Sequence, residues 1–213
     1  MFEFETVLLA PFVTHARPNA TADANGTSAV TLSEIACDMV EVSARRGKAA
    51  AVQASLAQLS PSVDLLATAP GTWLVRAPRA ADGVLAGRVL QSLGSIAAII
   101  DQSSATVTFR VQGRSACVAL AKICRLDLAA SVFLPGAAAR TVLAQVPAVV
   151  YRPRSVDAAI DDSGDAVFDI AVPNTLAVSF VGILVHCAAE YGLTIPPPGQ
   201  TPGPIPGPIP GKS

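Results

Sequence analysis

Between residues 38 and 100, strand-like and helix-like patterns follow one another in an order that occurs in few folds. Met39–Ser43 alternates, with Val40 and Val42 on one face, as a half-buried strand does. Residues 47–59 carry apolar side chains at spacings of three and four, which predicts a helix. The patterns that follow predict strands at 63–67 and 72–75, a helix at 80–91 and a strand at 96–100. The order β-α-β-β-α-β predicts a ferredoxin-like lobe.

A second set of elements begins at Ala105. Residues 106–111 alternate strictly, Gly113 ends that strand, and 114–123 fits a helix. The later patterns predict strands at 141–146 and 148–151 pivoting at Pro147, a strand at 166–172 and a helix at 173–191 that Gly192 ends. The predicted fold is therefore α+β, with two similar small lobes: the ferredoxin-like βαββαβ unit and a related β/α lobe.

Composition divides the chain into four parts. Residues 1–31 are predicted to be a weakly structured arm, because the run 17–26 is small, polar and turn-forming, and the arm is interpreted as flexible or as one that orders on a partner. The first lobe takes 32–104 and the second takes 105–192. Residues 193–213 are rich in proline and glycine, which predicts an extended tail, either free or packed along a neighbouring subunit.

The last predicted helix lacks the broad polar face of a surface helix. Its polar residues form one narrow stripe, which consists of Thr175, Ser179, Gly182, His186 and Glu190. The apolar residues predict two further stripes, Phe180, Leu184 and Cys187 on one and Val178, Val181 and Val185 on the other. We expect one apolar stripe to pack on the second lobe's sheet and the other to face a partner subunit or the first lobe.

The proportions of charged and apolar residues limit the classes of function that the chain can have. Apolar residues make up 51% of the chain and charged residues 15%, which favours a subunit that buries part of its surface in an assembly. The net charge of -1 argues against binding to nucleic acid or to anionic membranes. The longest nearly uncharged stretch, 172–189, is shorter than a membrane span. With no secretory pattern at the start and four scattered cysteines, the expected location is the cytoplasm.

No arrangement of residues predicts a catalytic, cofactor-binding or metal site. His186 and Cys187 are adjacent, and on a helix adjacent side chains diverge too far to share an ion. Asp161, Asp162 and Asp165 surround a Ser-Gly turn and lack the oxygen ladder of a calcium loop. The ending 211–213 resembles the close of a phosphate-binding loop without its earlier glycine. His15 is the other histidine of the chain.

Several short pieces, taken in order, resemble the gamma-subunit family of sarcosine oxidase. These pieces are 99–104, 111–116, 120–128, 133–137, 141–147 and 168–173, with the helix ending at 188–192, and upstream 45–47 and 71–75. The resemblance covers roughly 32–192. That family is similar in turn to the folate-binding domain of glycine-cleavage aminomethyltransferases. In the family's Asp-x-Ser-His motif, the chain has Ser104 in place of histidine, and the acidic pair of the aminomethyltransferases is absent near 148–153.

The resemblance implies a small, non-catalytic gamma subunit with an assembly role. In such complexes FAD, FMN, NAD, tetrahydrofolate and zinc belong to the partner alpha, beta and delta subunits. The implied reaction is oxidative N-demethylation of sarcosine or a related N-methyl amino acid. Two alternatives remain open: the small subunit of an N-methylglutamate dehydrogenase-like demethylase, and a stand-alone folate-binding protein related to the aminomethyltransferases.

Overall fold

A computed structural model describes residues 29–59, 62–154 and 166–196. The strands among these residues are β1 (Val30–Ile35), β2 (Cys37–Ala44), β3 (Asp64–Ala69), β4 (Thr72–Pro78), β5 (Ala97–Asp101), β6 (Thr106–Gly113), β7 (Ala138–Leu143), β8 (Val146–Tyr151), β9 (Ala166–Pro173) and β10 (Leu193–Thr194). The α-helices are α1 (Ala49–Ala57), α2 (Val84–Leu93), α3 (Ala116–Ala121) and α4 (Ala177–Ala188). Short 3-10 helices occupy Gly94–Ile96, Asn174–Leu176 and Ala189–Tyr191.

The first sheet has four strands in the order β3-β4-β2-β5, and every neighbouring pair is antiparallel. Its elements follow the chain as β2-α1-β3-β4-α2-β5, the predicted order. Alternate residues of each strand point to one face, where Val40, Val42 and Val75 form a core with Leu56 of α1 and Val89 of α2. Both helices therefore cover the same face of this sheet.

The second sheet has six strands in the order β10-β1-β6-β9-β8-β7. All its pairs are antiparallel except β1 with β10, which run parallel. One face forms the largest core of the described residues, in which Phe109 and Phe168 of the sheet pack with Leu120 of α3 and Phe180 of α4. Helices α3 and α4 thus cover this face.

The uncovered faces of the two sheets pack against each other. Met39, Leu66 and Leu74 of the four-stranded sheet form one cluster with Val149 and Tyr151 of the six-stranded sheet. The layers therefore run helices, sheet, sheet, helices, and the mixed α+β class is confirmed. The internal similarity of two lobes stays a prediction.

Two strands were not predicted from the sequence. Strand β1 crosses the predicted boundary at residue 31 and pairs with β6 in the six-stranded sheet, although most of it was assigned to the first lobe. Strand β10 lies at the start of the segment predicted as an extended tail. Strand β10 has two residues, too few to offer a periodic pattern. Strand β1 has six residues, of which Val30 and Leu32 are buried, and it was missed because it straddles the predicted boundary. The predicted arm at 1–28 and the tail from 197 onward lie outside the described residues.

The predicted pivot at Pro147 is wrong. The turn between β7 and β8 is Ala144–Gln145, whose φ angles of 45° and 79° are both left-handed. Two consecutive left-handed residues form a type I′ turn, whose twist matches that of the two strands it joins in a hairpin. This turn is usually signalled in a sequence by Asn-Gly. Pro147 lies within β8 opposite Val142, beyond the residues that pair with β9, so its missing N–H breaks no bond on that side.

The two apolar stripes predicted for the last helix are also partly wrong. Val181 lies with Phe180 and Leu184 on one buried face, and these three residues pack on the six-stranded sheet. Val178, in contrast, is 52% exposed.

Asn174–Tyr191 is long and apolar enough by composition to cross a membrane, a test that the core helix of a soluble protein also passes.

Candidate functional site: the charged layer between the sheets

A row of polar side chains crosses the inner face of the six-stranded sheet. Ser33 pairs with Arg110, Arg110 with Asp169, and Asp169 with Tyr151 in the strand register. Directly opposed residues on neighbouring strands point to the same face. The four side chains therefore lie side by side, on the face that meets the four-stranded sheet.

A shorter row on the four-stranded sheet faces it. Asp64, Arg76 and Met39 are register partners across β3, β4 and β2. Arg76 Nη1 lies 3.2 Å from Asp169 Oδ2, and its Nη2 and Nε donate to Asp64 Oδ2 at 2.5 and 3.0 Å. The Arg76 guanidinium also lies 4.9 Å from the centre of the Tyr151 ring. One arginine thus joins the two sheets.

Asp169 is the centre of this layer. Its side chain is 0% exposed, and it accepts hydrogen bonds from Arg110 Nε at 2.7 Å and Arg110 Nη2 at 2.8 Å, besides the one from Arg76. A two-point contact of this kind is among the stronger hydrogen-bonding arrangements in proteins. Removing a carboxylate from water costs free energy unless the carboxylate is paired with a positive charge. The two arginines around Asp169 provide that pairing.

The charges of the layer balance. Arg76 and Arg110 face the carboxylates of Asp64 and Asp169. Burial disfavours the charged guanidinium of Arg76, but attraction from Tyr151, Asp169 and Asp64 outweighs it and raises its pKa. The same competition, between burial and the bonds to Asp169, raises the pKa of Arg110. Both arginines stay charged, and the layer acts as a fixed electrostatic contact.

Two hydroxyl groups in the row are buried without a hydrogen-bond partner, those of Tyr151 and Ser33. Burial, reinforced by the negative charge of Asp169, holds the pKa of Tyr151 well above its ordinary value. The phenol therefore stays protonated at neutral pH and is a poor general base.

A second polar cluster fixes the connection between the sheets. Ser103 Oγ accepts a hydrogen bond from Met39 N at 3.1 Å, and Gln102 N donates to Met39 O at 2.8 Å. Arg79 pairs with Asp38 at 3.1 Å and donates to Ser103 O at 3.3 Å. The motif at 101–104 thus attaches the crossover between β5 and β6 to strand β2. Ser104, where the family places histidine, is exposed.

The residues weighed from the sequence lie apart from this layer. His186 is exposed on the last turn of α4, and Cys187 beside it is half-buried. Burial raises the pKa of the thiols of Cys37, Cys117 and Cys124, which lowers their reactivity. Within 29–59, 62–154 and 166–196, no three His, Cys, Asp or Glu side chains group as metal ligands. His15, the aspartates at 161, 162 and 165, and 211–213 lie outside the described residues.

The sequence reasoning did not single out Arg76, Arg110 or Asp169. Each is one charged residue inside an apolar strand: Arg76 follows Leu74 and Val75, and the other two stand between buried neighbours. A charge at a central strand position is the signal that could have identified them, because an interior charge needs a partner from another element.

The chain is similar to known proteins in its three-dimensional structure but not in its sequence. No protein-family model matches the chain, and no curated protein matches it. A heterotetrameric sarcosine oxidase from Corynebacterium sp. U-96, solved in complex with pyrrole 2-carboxylate, contains a chain that superposes with a TM-score of 0.68 at 20% identity. The match covers 87% of this chain and 95% of that chain.

A glycine cleavage system aminomethyltransferase T from Bartonella henselae is also similar, with a TM-score of 0.52 and 16% identity. This match covers 79% of the chain but 48% of the aminomethyltransferase, so the chain corresponds to about half of that enzyme. Identities this low establish the fold. The chain therefore shares its fold with one chain of the sarcosine oxidase and with about half of the aminomethyltransferase.

Proposed function

We propose that the chain is the small, non-catalytic gamma-type subunit of a sarcosine-oxidase-type complex. The observation that carries the proposal is the nearly end-to-end match, which covers 95% of a chain from a heterotetrameric sarcosine oxidase. The complex carries out oxidative N-demethylation of sarcosine or a related N-methyl amino acid in the cytoplasm. The role of this chain is to hold the assembly together.

The charged layer supports a structural role. Arg76, Arg110 and Asp169 bind one another or Asp64, and the carboxylate of Asp169 has no contact with solvent. A group that must accept a proton or bind substrate has to be reachable, and Asp169 is not. In the proposal FAD, FMN, NAD, tetrahydrofolate and zinc are bound by the alpha, beta and delta partners, and the substrate site lies on one of those chains.

The test is to purify the native complex and to assemble it with and without this chain. We expect sarcosine or another N-methyl amino acid to be oxidised by the full assembly, and we expect the assembly to lose integrity when the chain is omitted. His186→Ala in the assembled complex should leave turnover unchanged. A His186→Ala complex that assembles normally and has lost turnover would contradict the non-catalytic role.

A second candidate is a folate-binding protein in its own right. The observation that favours it is the match of 79% of the chain to the aminomethyltransferase. Calorimetric titration of the isolated chain with tetrahydrofolate separates the two candidates. Micromolar binding by the isolated chain would favour this second candidate, whereas binding only by the full complex would favour the first.

A further inference from the structure

Helix α4 carries an apolar stripe that its own sheet covers only in part. The stripe consists of Val178, Gly182, Val185 and Ala189, whose spacings of four, three and four place them on one side of the helix. Val178 is 52% exposed, Ala189 is exposed, and the two residues between them are half-buried. Residues 174–189 contain no Asp, Glu, Lys or Arg. A helix without a charged face is normally covered on its outer side as well.

The stripe lies on the side of α4 that faces away from α3. Lys122, which follows α3, donates to the carbonyl oxygen of Cys187 at 2.9 Å and pairs with Glu190, and Cys187 lies on the opposite side of α4 from the stripe. Cys124 bridges to Leu143 of β7, so α3 lies on the β7 side of α4. The stripe therefore faces the other edge of the six-stranded sheet, which β1 and β10 form.

Strand β10 runs back along that edge toward the start of α4. It is parallel to β1, with Leu193 opposite Val30. Helix α4 runs in the opposite direction to both strands, because it follows β9 and ends where Ala29 N donates to Tyr191 O, beside the start of β1. The chain that continues from β10 is therefore directed toward the first turn of α4, which carries Val178.

The chain is still packed against the sheet at the last residues that the structure describes. Leu193 and Ile195 belong to the core under α4, and Ile195 is 7% exposed. Pro196, the final described residue, is half-buried. The described chain therefore ends inside the space between the outer side of β1 and the stripe, which we name the β1–α4 groove.

Prolines explain why the strand pairing stops there. Val30 N donates to Gly192 O, so the even-numbered residues of β1 direct their N–H and C=O groups to β10. If the parallel ladder continued, Leu32 O would accept from the N–H of residue 196, and the next such donor would be residue 198. Both residues are proline and have no N–H. A proline-rich segment also loses less conformational entropy when it is ordered, because its φ angles are already fixed.

We propose that the tail of this chain, from residue 197 to residue 210, docks in the β1–α4 groove and covers Val178. The tail matches the groove in chemistry, because 195–211 contain no charged residue and consist of proline, glycine and isoleucine apart from Gln200 and Thr201. It is also joined to the groove through Pro196, so it binds there at a high effective concentration, whereas another molecule has to be recruited from solution. The docked tail shields the outer side of β1 from other strands.

One buried polar atom beside the groove fits a partner from the tail. Glu34 Oε2 is buried and has no hydrogen-bond partner among the described residues. In the register of β1 with β10, residue 197 falls beside Glu34. Because residues 196–198 are prolines, the first backbone N–H groups of the tail belong to Gly199 and Gln200. In the proposal one of these groups donates to Glu34, which satisfies a buried acceptor.

This inference concerns the chain by itself and is independent of the proposed function. The test is thiol labelling of two full-length variants, Val178→Cys and Val118→Cys, with peptide mass spectrometry that follows the introduced cysteine alone. Val118 lies on α3 and is 54% exposed, so it is the matched control for Val178 at 52%. We expect Val178→Cys to react at least tenfold more slowly than Val118→Cys, and we expect the two rates to become equal when the chain ends at Pro196.

A second measurement covers the case in which the shortened chain fails to fold. In the full-length chain, Val178→Cys combined with Pro197→Cys should form a disulfide within one molecule under mild oxidation. Val118→Cys combined with Pro197→Cys is the control and should stay reduced, because α3 lies on the other side of α4 from the groove. Peptide mapping without reductant measures both outcomes.

Three results would overturn the docking: equal labelling of the two positions in the full chain, slow labelling of Val178→Cys that persists without residues 197–213, or a disulfide that forms as readily from position 118. If Val178→Cys became protected only when other subunits were added, the groove would belong to a partner chain, the tail would be excluded, and the proposed function would stand. If the chain were obtained only within its complex, the same comparison of the full and shortened chains in that complex would decide the proposal.

Discussion

Asp169 of β9 and Arg76 of β4 lie on different sheets, and their side chains meet with 3.2 Å between Oδ2 and Nη1. Residues 93 positions apart in the sequence thus form a hydrogen bond in the interior. The contact fixes how the four-stranded sheet lies on the six-stranded sheet, because Arg76 also stacks on Tyr151 of the second sheet.

Replacing Asp169 with Asn should destabilise the fold by about 3–5 kcal/mol, because removing one partner leaves two buried arginines short of a counter-charge. Asp64→Asn is the matched control, since Asp64 binds the same Arg76 but its side chain is 45% exposed. That change should cost about 1 kcal/mol or less. Urea unfolding of both variants measures the difference, and equal losses would show that the buried layer is not what joins the sheets.

Removing the hydroxyl of Tyr151 should not weaken the protein. The group is buried without a partner, and deleting such a group is neutral or stabilising, so Tyr151→Phe should retain full stability. Tyr151→Ala loses the packed ring as well and should cost about 3–5 kcal/mol. Thermal unfolding at neutral pH compares the two variants. A loss in Tyr151→Phe as large as that in Tyr151→Ala would mean that the hydroxyl has a partner after all.

The same phenol predicts a pH dependence. Its pKa is raised in the folded protein, so the folded state keeps a proton that the unfolded state releases above about pH 10. The free energy of unfolding is therefore unaffected by this titration below about pH 10 and falls as the pH rises beyond it. Unfolding free energies measured between pH 9 and 11 should fall more steeply for the wild type than for Tyr151→Phe. Identical slopes would contradict the raised pKa.

Two valines of α4 should respond differently to a charge. Val181 is fully buried, so Val181→Asp places an unpaired carboxylate in the core and should prevent folding. Val178, three residues earlier, lies on the outer side, and Val178→Asp should fold, as should Ser179→Asp. Soluble yield and circular dichroism measure the outcome. A folded Val181→Asp would mean that the assignment of this helix face is wrong.

Two glycines offer a contrast in backbone freedom. Gly113 has a φ of 125°, and a Cβ placed on it would lie 2.4 Å from the carbonyl oxygen of Ala29. Gly113→Ala should therefore cost about 1–3 kcal/mol through backbone strain, with more lost to the displaced start of β1. Gly87 in α2 has open space around it, and Gly87→Ala should stabilise by about 0.5–1 kcal/mol. Chemical denaturation of both variants checks the opposite signs.

Local periodicity was enough to predict the elements of the four-stranded sheet, because each of its strands and helices is long enough to show its spacing. It was not enough for the pairing of β1 with β10, which depends on residues more than 160 positions apart, Val30 and Leu193. The contacts of the charged layer also join residues that are far apart in the sequence, so local periodicity could not predict them. Arg76 and Asp169 each contradict the pattern of their own strand, and the contact that explains them forms only after the sheets pack.

The pairing of β1 with β10 also sets an order on the making of the protein. Strand β1 is among the first described segments to leave the ribosome, and the neighbour of its outer side is β10 at Leu193–Thr194. Until those residues emerge, a growing chain carries that side of β1 without the partner it has in the finished sheet. Unpaired strand edges in growing chains are prone to wrong contacts. Among the described residues, β10 is the last strand to be made, and its pairing with β1 completes the six-stranded sheet.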